Sequence, residues 1–168
     1  MAVRLSFASE RTIAGRDIDR NNPLLGRRVL VVDDSASQRS RLIEIFQSLG
    51  MHVVGEAENG LDALTAADRL QPDVISLDII MPVMHGVETL GYLKQKNCDA
   101  VIIYVSALGG IESVSQLRSP GGHLPDAVFS KKDGRETYAE VLTSIFVGES
   151  EPSARSDSEE SAASVQAV

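Results

Sequence analysis

A chain of 168 residues, 43% apolar and 24% charged, has the make-up of a single soluble globular domain. A formal charge of −8, with four Phe, three Tyr and no Trp, argues against nucleic-acid binding as the main activity. The lone Cys98 excludes an internal disulfide framework or a multi-cysteine zinc site and suits a reducing cytosol; no apolar run approaches a membrane span, and no h-region marks a secretory signal.

Residues 1–26 carry Arg4, Arg11, Arg16 and Arg20 among polar neighbours and end in NNPLLG, so a flexible basic arm is expected there. Then short apolar runs alternate with helix-period segments. The runs are VLVVDD (29–34), HVVGEA (52–57), DVISLD (73–78), AVIIYVS (100–106) and DAVFS (126–130). Several are nearly continuous in Val and Ile, as strands buried on both faces of a parallel sheet require. Leu42, Phe46 and Leu49 share one face of a first helix, with Ser35 and Gln38 placed as a capping box. Leu61, Leu64 and Ala67 mark a second helix, and Val87, Leu90 and Leu93 a third. A weaker fourth runs around Ile111, Val114 and Leu117 and is stopped by SPGGHLP (119–125). Tyr138, Val141, Leu142, Ile145 and Phe146 mark the last. Residues 27–147 thus predict a doubly wound (βα)5 α/β sandwich with a five-stranded parallel sheet. Residues 148–168, rich in Ser and Glu, predict a disordered acidic tail, too poor in bulky apolar side chains to offset its ordering entropy.

In an open parallel sheet, ligands bind beyond the carboxyl ends of the strands. The first run closes on Asp33 and Asp34, the third on Asp78 and the fourth on Ser106, while the fifth leads into Lys131. Singly, an Asp at a strand end is an ordinary turn or cap residue. Together, three carboxylates repel one another unless a hard divalent cation such as Mg²⁺ holds them. A hydroxyl and a lysine facing the same point would then meet an anion shared with the metal, which describes a phosphoryl site.

These motifs (VLVVDDS at 29–35, AENGLDAL at 57–64, DIIMPVMHG at 78–86, VSA at 105–107 and FSK at 129–131) resemble the receiver domains of two-component response regulators, particularly the stand-alone CheY-like chemotaxis type. The resemblance spans roughly residues 27–147. It implies strand order 2-1-3-4-5, as in flavodoxin-like folds. It also implies that Asp78 is the phosphoacceptor, attacking a phosphohistidine on a histidine kinase or phosphotransfer protein. Asp33, Asp34, Asp78 and the backbone carbonyl of Ile80 would hold Mg²⁺. Ser106 would bond a phosphoryl oxygen and swing inward on activation, and Lys131 would pair with Asp78 and the phosphoryl group. The implied protein is cytoplasmic and signals by docking on a protein target in chemotaxis or motility, with a phosphatase as a further partner and no nucleic-acid or membrane ligand. It would catalyse only its own phosphorylation and dephosphorylation. The tail is too short and polar for a helix-turn-helix module, so no attached output domain is expected.

The chain also departs from the family pattern. Lys132 stands where a proline usually follows the lysine, so a trans peptide bond is expected. Val128 occupies the aromatic switch position, and a Gly/Pro-rich insert separates Ser106 from Lys131. His52, His85 and His123 lack the spacing of a zinc site, and Cys98 reads as a small, partly buried residue. Competing readings are a phosphate sink, an unphosphorylated receiver-like scaffold, an Asp-nucleophile phosphatase and an FMN carrier. Ile80 stands where the phosphatase signature needs a second Asp. The two carboxylates after the first strand would repel an FMN phosphate.

Overall fold

Five strands and four helices are formed by residues 22–107 and 117–148, the part of the chain that the computed structural model describes. In chain order they are β1 (Arg28–Val32), α1 (Ala36–Ser48), β2 (His52–Ala57), α2 (Gly60–Leu70), β3 (Val74–Asp78), α3 (Gly86–Gln95), β4 (Val101–Ser106), β5 (Ala127–Ser130) and α4 (Arg135–Gly148). All four strand pairings are parallel and the order is β2-β1-β3-β4-β5, the doubly wound arrangement expected. Residues 108–116, where the weak fourth helix was expected, lie outside the described residues. Leu117 at their far end is buried in the core.

Side chains alternate across the sheet, so each apolar strand supplies two cores. On one face Val29, Val31, Val101, Ile103, Val105 and Phe129 pack against Leu42, Phe46, Tyr138, Leu142 and Phe146 of α1 and α4. On the other, Leu30, Val32, Ile75, Leu77, Ile102 and Tyr104 meet Ala63, Ala67, Leu90 and Leu93 of α2 and α3. Tyr138 stacks on the Phe129 ring at 4.1 Å and meets Phe46 edge-on at 5.6 Å, which joins α4 to β5 and α1.

Three local expectations are revised. α2 buries Gly60, Ala63 and Ala67, while Leu61 is 53% exposed. The small residues win that face because α2 runs close to α3: a Cβ on Gly60 would stand 1.9 Å from the Thr89 hydroxyl oxygen. Ser35 is the N-cap of α1 but makes no side-chain cap bond, so the expected capping box is not formed. Its hydroxyl pairs with that of Ser37 (3.0 Å), and Asp33 instead accepts from the Ser35 N–H (2.9 Å). Finally, Asn22 to Arg27 form a turn packed on the end of α1. The Asn22 amide donates to the Leu49 carbonyl (2.9 Å) and Leu24 is buried, so packing begins before residue 27. The Lys131–Lys132 peptide is trans, as expected.

Candidate phosphoacceptor site

Every crossover in a parallel sheet returns the chain to the same edge, so the strand-end residues converge. Asp33 follows β1 directly, and its N–H continues the ladder onto the Ala57 carbonyl (3.2 Å). Asp78 closes β3 opposite Val105, which sets Ser106 one residue further along β4. The Lys131 N–H donates to the Ser106 carbonyl (2.7 Å), carrying the lysine from the end of β5 over the same edge.

Carboxylate oxygens of Asp33, Asp34 and Asp78 lie within 4.8 Å of one another, Asp33 and Asp78 buried and Asp34 exposed. The Lys131 ammonium stands 2.8 Å from an Asp33 oxygen and 2.8 Å from an Asp78 oxygen. Lys131, not its neighbour Lys132, is therefore the lysine of the site. Burial alone would pull the Lys131 ammonium down, but the hydrogen bonds and charges of Asp33 and Asp78 outweigh it and hold it above its ordinary value. Asp78 is raised above the ordinary carboxyl value, first by desolvation and then by the Asp33 charge, against the lowering effect of Lys131.

One ammonium cannot neutralise three carboxylates. The donor set is all oxygen, with one exposed ligand, and fits a hard cation that keeps several waters, as Mg²⁺ does. Among the described residues this is the one cluster of potential metal ligands, and His52, His85 and His123 take no part in it. Cys98 is partly buried against the α2–α3 core, as expected. A cleft of about 360 Å³ opens at the opposite end of the strands, between Arg27, Asp73, Lys96 and Phe146. There Lys96 pairs with Asp68 and Arg27 with Asp73.

The loop from β3 to α3 is shaped by close approach. The Gly86 N–H donates to the Ile79 carbonyl (3.0 Å), and a Cβ on Gly86 would stand 2.2 Å from the Asp78 carbonyl oxygen. Only glycine lets the first turn of α3 sit directly under the phosphoacceptor candidate. Ile80 lies on this loop, 63% exposed.

A family model for the response regulator receiver domain matches residues 29–132. The chain belongs to the response regulator receiver domain family. Receiver domains bind Mg²⁺ through an acidic cluster, and Asp33, Asp34 and Asp78 form one here. The chemotaxis protein CheY of Thermotoga maritima is 40% identical over 85 residues, 51% of this chain and 71% of its own. The CheY of Halobacterium salinarum is 31% identical over 121 residues, 71% of this chain and 99% of its own. Among solved structures, the CheX–CheY–BeF3–Mg complex of Borrelia burgdorferi matches with a TM-score of 0.63 at 28% identity, covering 73% of this chain and 90% of that one.

Two features of this receiver domain went unread in the sequence. Val128, at the position where the family has its aromatic switch, is half-buried, and its partner in register across the ladder is Tyr104. Tyr104 is fully buried, with its hydroxyl 3.5 Å from the Gly86 carbonyl, and burial pushes its phenol above the usual value. The second feature is Arg39, buried on α1 and bonded to the Asp33 carbonyl (2.8 Å). Its signal was present: a charged residue in the stripe that Leu42 and Phe46 continue, with Glu56 near the end of β2 and Glu58 just after it.

Proposed function

We propose that this receiver domain takes a phosphoryl group onto Asp78 from a phosphohistidine of a histidine kinase or phosphotransfer protein. The phosphorylated form then docks on a protein target in chemotaxis or motility signalling, in the cytoplasm. The reading is carried by one observation: Lys131 bridges Asp33 and Asp78 at 2.8 Å, while Asp34 brings a third carboxylate to the same point.

In the transfer, an Asp78 carboxylate oxygen attacks phosphorus, an O–P bond forms, the N–P bond to histidine breaks and the imidazole leaves. Asp33, Asp34, Asp78 and the Ile80 carbonyl would hold Mg²⁺, which would supply positive charge to the phosphoryl oxygens. Lys131, already at Asp78, follows the phosphoryl group as that carboxylate becomes an acyl phosphate. The Ser106 hydroxyl bonds a phosphoryl oxygen. Hydrolysis returns phosphate and the free carboxylate, so the only chemistry is on the protein itself.

Incubated with Mg²⁺ and acetyl phosphate, the wild type should gain the mass of one phosphoryl group and Asp78→Asn should gain none. An undiminished mass shift in Asp78→Asn would overturn the assignment.

A further inference from the structure

Arg39 is the charged member of the three residues that α1 buries, beside Leu42 and Phe46. A guanidinium taken out of water needs acceptors, and each of its nitrogens has one. Nε donates to Glu56 (3.0 Å), Nη2 to Glu58 (2.9 Å) and Nη1 to the main-chain carbonyl of Asp33 (2.8 Å). The two glutamates are exposed, so their ion pairs contribute little stability.

The bond to Asp33 acts differently. The carbonyl it holds belongs to the peptide unit joining Asp33 to Asp34. That unit is planar, so a charge-assisted bond to its oxygen also fixes the direction in which the Asp34 Cα is carried. The Asp33 side chain is held independently, by the Ser35 N–H and by Lys131. Among the described residues no hydrogen bond or ion pair reaches the Asp34 carboxylate. The placing of Asp34 therefore depends on its backbone, which Arg39 holds at the Asp33 carbonyl while the Asp33 N–H on Ala57 and the Ser35 N–H on the Asp33 carboxylate hold it to either side.

We propose that Arg39 is a positioning residue for the acidic site: it orients the Asp33–Asp34 peptide so that Asp34 stands where a small octahedral cation needs it, and thereby favours Mg²⁺ over Ca²⁺. This rests on the reading of the site as a Mg²⁺-dependent phosphoacceptor. The two metals differ in what they demand. Mg²⁺ requires near-ideal octahedral geometry, whereas Ca²⁺ accepts more ligands at longer and more variable distances. A loosened Asp34 should cost Mg²⁺ far more than Ca²⁺.

The sign of the effect separates positioning from charge. Arg39 is a cation close to a cation site, so on electrostatics alone its removal should tighten metal binding. Positioning gives the opposite sign. Calorimetric titration of the full chain with Mg²⁺ and with Ca²⁺ tests this in Arg39→Met and in Arg39→Lys, which keeps the charge but not the fork. Both should bind Mg²⁺ about tenfold more weakly, the cost typical of a lost supporting contact behind a metal ligand. Their Ca²⁺ affinity should fall by no more than about twofold. Unchanged or tighter Mg²⁺ binding, or equal losses for both metals, would overturn the proposal. Because Arg39 also joins α1 to β2, the double variant Glu56→Gln/Glu58→Gln serves as the second arm. It removes both carboxylate partners of Arg39, retains the bond to Asp33 and should keep the wild-type Mg²⁺ to Ca²⁺ preference. A loss of that preference equal to that of Arg39→Met would mean Arg39 acts through general stability, and the proposal fails. Asp34→Ala is the control for the reading beneath it. If Asp34→Ala binds Mg²⁺ as wild type does, the reading of the site itself fails and this inference with it. If Asp34→Ala loses Mg²⁺ binding and Arg39→Met does not, only the role of Arg39 fails.

Discussion

At the scale of single residues, two side chains on the loop from β3 to α3 lead to separate outcomes. Val83 is a β-branched residue at φ +68°, 80% exposed, directly after Pro82. The left-handed region costs an L-residue about 1–2 kcal/mol, and the exposed Val83 gains little packing in return. Asn tolerates that region through local hydrogen bonding, so Val83→Asn should stabilise the fold by about 1 kcal/mol. A urea midpoint that does not rise, at unchanged m-value, would contradict this. On the proposed reading of Asp78 as phosphoacceptor, Ile80 would bear on how long the phosphoryl group lasts. Two residues after Asp78, it would flank the approach of the hydrolytic water, and it offers no donor or acceptor. Leu108, two beyond Ser106, is apolar as well and lies outside the described residues. A polar side chain that orients water should lower the barrier by about 1.4 kcal/mol, so Ile80→Asn should lose its phosphoryl group roughly tenfold faster. The decay rates of the two phosphorylated proteins, at fixed Mg²⁺ and pH, decide it: equal rates would end the water-access argument.

At the scale of elements, the carboxyl ends of β1, β3 and β5 are joined by one ammonium. Lys131→Met in metal-free protein leaves Asp33 and Asp78 facing each other in a desolvated site. The largest influence on Asp78, desolvation, stays, as does the Asp33 charge, while the lowering by Lys131 is lost. The Asp78 carboxyl should then titrate further above its ordinary 3.8 than in wild type. A carboxyl raised in the folded state binds its proton more tightly there than in the unfolded chain. Its contribution is full below pH 3.8 and is lost as pH rises through the folded value. Lys131→Met should therefore lie nearest to wild type in acid and fall behind by about 2 kcal/mol at neutral pH. That is less than a fully buried pair would cost, since Lys131 keeps some solvent contact. Urea midpoints of both proteins from pH 4 to 8 provide the check. A stability gap that does not widen with pH would show that Lys131 is not balancing these carboxylates.

On the scale of the whole molecule, the acidic site lies at the carboxyl edge of the sheet, while the end of α4 sits at the opposite edge. There the Arg27 guanidinium lies 4.1 Å over the Phe146 ring, two residues before α4 ends. A chain leaving from that pole starts far from Asp78. Residues 149–168 carry Glu149, Glu151, Asp157, Glu159 and Glu160 against Arg155, about half of the net charge of −8. A chain ending at residue 148 should keep the wild-type Tm within about 0.5 kcal/mol of stability and take up phosphoryl groups at the same rate. Loss of phosphorylation with Tm intact would show that the tail reaches the site.

By itself the sequence determined the alternation of strands and helices, the parallel pairing of the sheet and the identity of the strand-end residues, while the strand order was what the family resemblance implied. The reason lies in the topology: when every crossover returns to one edge, being last in a strand is already a spatial coordinate. That is why Asp33, Asp34, Asp78 and Lys131 could be read together before any distance was known. Other features were decided by tertiary structure, because they depend on which element lies alongside. Leu61 is exposed because α3 comes so close to α2 that glycine and alanine take the contact face. Ser35 does not cap α1 with its side chain, since Asp33 binds the turn and the serine hydroxyl goes to Ser37. Arg39 reads locally as one more polar residue near a helix start. Its three acceptors come from the end of β1, from β2 and from the connection to α2, and only the folded chain brings them around one guanidinium.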